Sequence, residues 1–239
     1  MGPLPVAVLL LAISSPQAGS VREAARLYAF SCASCHGARA QGSAVAPPLA
    51  GKSAVDVHFM LDTGRMPAPA PGSNGVSHPP AFTEAQIDEL VRYVVGLSPS
   101  PVDASLPTVR PGNPTRGRKL FAANCAQCHG AAADGASVGS QDVAPSLSGV
   151  SSLQIAEAVR VGPGVMPRFD PRVLSATDVD DIAGYVTLVQ QHSGATDANA
   201  GGVPLAHAGP VAEGFVAWLF GMGALVLFVR SVGAAGREE

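Results

Sequence analysis

Two pentapeptides carry the chemistry of this chain: Cys32-Ala33-Ser34-Cys35-His36 and Cys125-Ala126-Gln127-Cys128-His129. In a C-x-x-C-H run two thiols can add to the vinyl groups of a haem while the next imidazole ligates its iron. Two intervening residues bring both sulfurs to one edge of a flat macrocycle, with the histidine turned beneath it. A C-x-x-C pair alone also serves zinc ribbons and dithiol redox centres. A zinc ribbon sets its pairs about 15–20 residues apart, and the gap from Cys35 to Cys125 is far longer. A redox pair does not require the following histidine, and the strand-rich pattern expected beside one is not found. All four cysteines are consumed by the two motifs. The expected cofactors are two covalently bound haem c groups held by Cys32, Cys35, Cys125 and Cys128, with His36 and His129 as proximal iron ligands.

The elements around the motifs recur. Ala24, Leu27 and Tyr28 share a helical face that leads into Cys32, and Gly117, Leu120 and Phe121 repeat it before Cys125, 93 residues later. Ala46-Pro47-Pro48-Leu49-Ala50-Gly51 answers Ala144-Pro145-Ser146-Leu147-Ser148-Gly149, and Gly64-Arg65-Met66-Pro67 answers Gly164-Val165-Met166-Pro167. Met is usually core filler. Met1, Met60 and Met222 do not recur between the halves, so Met66 and Met166 are the expected distal ligands. His plus Met leaves no open iron position and favours reversible one-electron transfer over oxygen chemistry. A carbonyl at Pro47 or Pro145 could accept the proximal imidazole N–H. Arg65 has a haem propionate or solvent as its alternative surroundings. His58, His78, His192 and His207 have no equivalents in the other half and read as surface or loop histidines.

Each methionine is followed by an amphipathic helix. Thr83 with Gln86 makes a capping box ahead of Ile87, Leu90, Val91 and Val94; Ser175 caps the second, with Val179, Ile182, Val186 and Val189 inward. Tyr93 and Tyr185 occupy equivalent positions. The expected domains are residues 21–98 and 116–192. Between them, 99–115 is a proline-dense, semi-rigid linker, and 193–210 is a flexible Gly/Ala/Asn linker. The halves differ by extra residues around Pro69 to Pro80 in the first and a longer loop from Gly130 to Val143 in the second, surface positions where partners would be read.

Only 14% of residues are charged, the net charge is -3 and the mean hydropathy is +0.25. With two lysines in the chain there is no basic patch, and no nucleic-acid binding is expected. Residues 1–20 hold an apolar run, Val6 to Ile13, and a small-residue Ala18-Gly19-Ser20, with no Lys or Arg before the run. They read as a signal peptide or the remnant of an N-terminal anchor. Gly214 to Val229 carries no charge, and 211–232 is the expected transmembrane helix, with Arg230 snorkelling at one interface. Arg230 and Arg237 follow the segment and no Lys or Arg lies between Arg172 and it, which places the C-terminus in the cytoplasm and the haem domains on the extracytoplasmic side.

Each half resembles a class I cytochrome c domain, with C-x-x-C-H, Pro-x-Leu and Met-Pro in order. The fold class expected is all-α: two tandem class I cytochrome c domains plus one C-terminal transmembrane helix. From about Val21 to Arg230, including the Gly209 to Trp218 entry into the last helix, the chain resembles the dihaem cytochrome cc subunit of actinobacterial menaquinol-cytochrome c reductases. The resemblance implies a cell-membrane electron-transfer subunit of a quinol-oxidising cytochrome bc complex, with the quinol chemistry on partner chains. It implies the cytochrome b subunit, the Rieske iron-sulfur subunit and a terminal cytochrome oxidase as partners, electrons passing from the Rieske protein to the oxidase. The chain departs from the family at its start, where a longer basic, apolar anchor is expected. The alternatives are a dihaem subunit of another periplasmic-side dehydrogenase or of a cbb-type oxidase, and a haem peroxidase, which requires an open iron site.

Overall fold

The helix that leads into the first pentapeptide, α1 (Pro16–Ser31), buries Ala24 and Tyr28 and hands directly to the single turn α2 (Ala33–His36). The computed structural model describes residues 16–70, 76–100, 102–139, 142–192 and 210–235. Helix α3 (Ala54–Asp62) follows, then α4 (Glu84–Gly96), which starts at the expected Thr83/Gln86 capping box. Its stripe of Ile87, Leu90, Val91 and Val94 is buried against Tyr28, Val57 and Leu61 in one core. Tyr28 of α1 and Tyr93 of α4 meet with ring centroids 5.5 Å apart.

The second half repeats the plan. Asn113 caps α5 (Pro114–Asn124), whose first residue is the proline that can best afford to lack an N–H. The turn α6 (Ala126–His129) follows it, then α7 (Ser152–Val161) and α8 (Ala176–His192). Ser175 and Asp178 exchange the bonds of a capping box, and Val179, Ile182 and Val186 are buried, with Val189 half-buried. Phe121 faces Tyr185 at 5.3 Å, the counterpart of the Tyr28–Tyr93 contact. The longer second loop contains two short antiparallel strands, β1 (Ala136–Val138) and β2 (Asp142–Ala144), with Ser137 opposite Val143.

Helices α3 and α7 were not expected from periodicity. Their signal is a second pair of capping boxes, Ser53 with Asp56 and Ser151 with Gln154, which satisfy the orphan N–H groups that open each helix. Two compact units divide the chain: residues to Pro111 with Val150–Asp180, and Gly112–Gly149 with the residues from Asp181. Helix α7, from the second sequence repeat, therefore belongs to the first unit, where it packs on α3.

His58 is not a surface histidine. It is 5% exposed on the inner face of α3, where its Nδ1 stands 2.7 Å from Oε1 of the fully buried Glu157 on α7. A carboxylate on a helix distant in sequence explains its burial, and no local pattern could announce it. His78 is exposed, as expected; the side chain of His192 and all of His207 lie outside the described residues.

Among the described residues, 98–100 and 102–113 form no helix, and α5 begins at Pro114, within the stretch expected as linker. Helix α9 (Pro210–Ala235) contains an 18-residue segment, Gly214–Ser231, long and apolar enough to cross a membrane. Phe215, Trp218, Phe220, Leu227 and Phe228 on it are all exposed. Residues 1–15 and 193–209, with the apolar run and the second linker, lie outside the described residues, and Ala18 to Ser20 fall within α1.

Candidate haem sites

In both pentapeptides the backbone makes the same tight turn. Cys32 N–H donates to the Tyr28 carbonyl at 2.9 Å and His36 N–H to the Cys32 carbonyl at 2.9 Å; Cys125 to Phe121 and His129 to Cys125 repeat this at 2.8 and 2.9 Å. The preceding helix thus fixes where the cysteines start, and one further turn brings the histidine round. No disulfide joins the four cysteines. Burial raises the Cys32 and Cys125 thiols to about 11, the neighbouring Cys35 and Cys128 adding to it.

The imidazoles are oriented as expected. Nδ1 of His36 donates to the Pro47 carbonyl at 2.8 Å, and Nδ1 of His129 to the Pro145 carbonyl at 3.0 Å. A backbone carbonyl can only accept, so each bond fixes the tautomer with the proton on Nδ1 and leaves the Nε2 lone pair available to a metal.

The loops that carry these carbonyls are built alike, from residues outside the pentapeptides. Ala40 and Ala133, four residues after each histidine, have φ of 59° and 60°, and their carbonyls accept from Leu49 and Leu147 N–H at 2.9 and 2.8 Å. Two residues further, Gly42 and Gly135 N–H donate back to the His36 and His129 carbonyls at 2.7 and 2.8 Å. Both glycines have positive φ, and a Cβ at either would lie within 3.0 Å of the proline-bearing backbone it must pass. A glycine six residues after the histidine in both halves was the available signal.

Met66 is half-buried and packs against the first core, beside α3 and α4. Its N–H donates to the Met60 carbonyl at 2.9 Å. Met166 is half-buried in the turn after α7, its N–H donating to the Pro163 carbonyl at 3.1 Å. Met166 belongs to the first compact unit and His129 to the second, so their pairing rests on the repeat. Arg65 has a third surrounding that neither alternative named: its guanidinium lies 4.8 Å over the Phe59 ring, half-buried, and burial lowers its pKa.

The donor set fits covalent haem. Paired cysteines sit at a fixed turn with no disulfide between them, an imidazole is held with Nε2 available, and a half-buried thioether recurs in each half.

Comparison with known proteins agrees with this chemistry. Residues 21–98 match the family model for cytochrome c, and residues 112–186 match that for cytochrome c oxidase, cbb3-type, subunit III. The chain is 36% identical over 223 residues to the cytochrome bc1 complex cytochrome c subunit of Mycobacterium tuberculosis (strain ATCC 25618 / H37Rv), spanning 90% of this chain and 78% of that protein. It is 32% identical over 231 residues to the subunit of the same name from Corynebacterium diphtheriae, spanning 90% and 80%. The cbb3-type cytochrome c oxidase subunit CcoP of Azospirillum sp. (strain B510) is 30% identical over 177 residues, spanning 65% of this chain and 57% of that protein. With two cytochrome c domains and a candidate apolar helix at the C-terminus, the chain belongs to the family of cytochrome bc1 complex cytochrome c subunits.

Proposed function

We propose that this protein is the membrane-anchored dihaem cytochrome c subunit of a quinol-oxidising cytochrome bc complex. It takes electrons from the Rieske iron-sulfur subunit and delivers them to a terminal cytochrome oxidase. The observation that carries the reading is the extent of the similarity, 90% of this chain, against relatives named as subunits of that complex. Cytochrome b, the Rieske protein and the oxidase are its partners, and the quinol chemistry belongs to them.

Haem bound at the two sites supplies a reversible one-electron couple. Cys32 and Cys35 would hold the first group and Cys125 and Cys128 the second, with His36 and Met66, and His129 and Met166, as the residues that would ligate the iron. Pro47 and Pro145 set ligand basicity by accepting the Nδ1 protons. Two protein ligands on each iron would leave no open position for small molecules, which separates this reading from a peroxidase. Helix α9 anchors the chain, with its C-terminus cytoplasmic and the haem domains, 21–98 and 116–192, on the other side.

A second reading, a haem subunit of a cbb-type oxidase, draws on the family match of residues 112–186 and on CcoP. Purification from membranes in mild detergent tests both. Cytochrome b and a Rieske protein should travel with the chain; their consistent absence, with an oxidase core in their place, would overturn the first reading in favour of the second.

A further inference from the structure

Away from the haem ligands, three side chains converge where α3 packs on α7. His58 and Asp62, four residues apart, lie on one face of α3, and Glu157 comes from α7. Their ligand atoms, one imidazole nitrogen and two carboxylate oxygens, all lie within 4.8 Å of one another.

An ordinary ion pair does not account for the arrangement. Glu157 is fully buried, and its Oε2 has no hydrogen-bond partner among the described residues. Nδ1 of His58 and Oε1 of Glu157 approach to 2.7 Å, yet neither is aligned as a hydrogen bond. Asp62 adds a second carboxylate, and the charge of Asp88 on α4 also reaches the imidazole. Even a protonated His58 leaves the cluster negative, and buried, uncompensated charge is costly. The partly exposed Asp62 has its Oδ2 held at 2.8 Å by the Gln154 amide, as an outer partner orients a ligating carboxylate.

We infer that His58, Asp62 and Glu157 form a divalent-cation site, of zinc class, that clasps α7 to α3. One imidazole and two carboxylates are a borderline-hard donor set, and three protein ligands leave a fourth position for water on the Asp62 side. A tetrahedral ion with bonds of about 2.0–2.2 Å sets its ligand atoms roughly 3.4 Å apart, so Glu157 needs a small rotation away from His58. The ion displaces to solvent the proton that the His58–Glu157 pair otherwise holds.

The test uses the full-length, haem-loaded protein in detergent, stripped with chelator and dialysed against zinc chloride. Elemental analysis should find one tightly bound zinc per chain, and calorimetry in buffers of different ionisation enthalpy should find about one proton released. E157Q and D62N should each weaken zinc binding by about 100-fold while H78Q, on an exposed loop, does not and the haem spectrum stays constant. Absence of tight zinc, or wild-type zinc affinity in both E157Q and D62N, would overturn the site and leave an ion pair. Zinc-edge absorption on the wild type decides the matter without any variant: one imidazole with oxygen neighbours supports the site, and a sulfur or multi-imidazole shell overturns it.

Discussion

The Tyr28 hydroxyl donates to the Gly37 carbonyl at 2.7 Å, tying the first long helix to the residue just after His36. In the second half Phe121 stands where Tyr28 stood and has no hydroxyl. There Tyr185, on the opposite helix, donates to the Ala131 carbonyl at 3.0 Å. The aromatic contact is kept and the hydroxyl has changed sides. Tyr28 is 1% exposed, so Tyr28→Phe removes the hydrogen bond of a buried side chain, while the Gly37 carbonyl keeps its bond from Ala40 N–H at 3.1 Å, and should cost about 1 kcal/mol. Tyr185→Phe, at a half-buried site, should cost less. Thermal unfolding of the two variants measures the difference, and equal shifts would contradict it.

Gly135 lets the loop bearing the Pro145 carbonyl pass at close range. Its φ is +84°, and a Cβ would stand 2.5 Å from the Ala144 carbonyl oxygen. Gly135→Ala should destabilise by roughly 1–3 kcal/mol and loosen the His129–Pro145 bond; a less basic imidazole stabilises ferric iron less, raising the midpoint potential of one haem only. Gly139→Ala, with nothing within 4 Å but a φ of +78°, carries the backbone strain without the collision. It should move stability less and leave the potential alone in a redox titration.

Met66→Ala should open one iron to imidazole, azide or carbon monoxide and lower its potential by on the order of 100 mV. Met60→Ala, six residues earlier, should do neither. Ligand-binding spectra read both variants. A wild type that binds these ligands at once would instead favour an enzyme acting at haem.

The chain after α4 returns to α3 through Asp103, whose carbonyl accepts from Ala54 N–H at 2.9 Å. Its carboxylate accepts from the Ser105 hydroxyl at 2.6 Å and N–H at 2.9 Å, and these bonds hold its pKa below the ordinary carboxylate value. A depressed folded value means the contribution is present above the unfolded pKa and is lost as pH falls through the folded one. Ser105→Ala removes the larger cause, so the Asp103 carboxyl should titrate at higher pH in the reduced protein by NMR. An unchanged titration would assign the shift elsewhere.

Helix α9 exposes aromatic and aliphatic side chains over a span-length segment. A chain ending before Pro210 should keep its haem spectrum and leave the membrane fraction for the soluble one. Retention in the membrane would place the anchor elsewhere.

By itself the sequence determined what spacing and local chemistry encode: the two C-x-x-C-H pentapeptides, the recurring Met-Pro, the buried stripe of α4, and the Pro47 and Pro145 carbonyls that the imidazoles meet. Such features need only a turn, a helical period or a short loop, so they repeat at matching offsets. Helices α3 and α7 were legible only through their caps, because both helices are short and bury residues on more than one face. Tertiary structure alone decided that α7 packs on α3, that Arg65 lies over Phe59, and that His58 is buried against a glutamate on a helix nearly a hundred residues away. Nothing in the residues around His58 predicts a carboxylate opposite it. Its surroundings are set by which faces two separately formed helices bury together, a property of the packed chain and not of any segment.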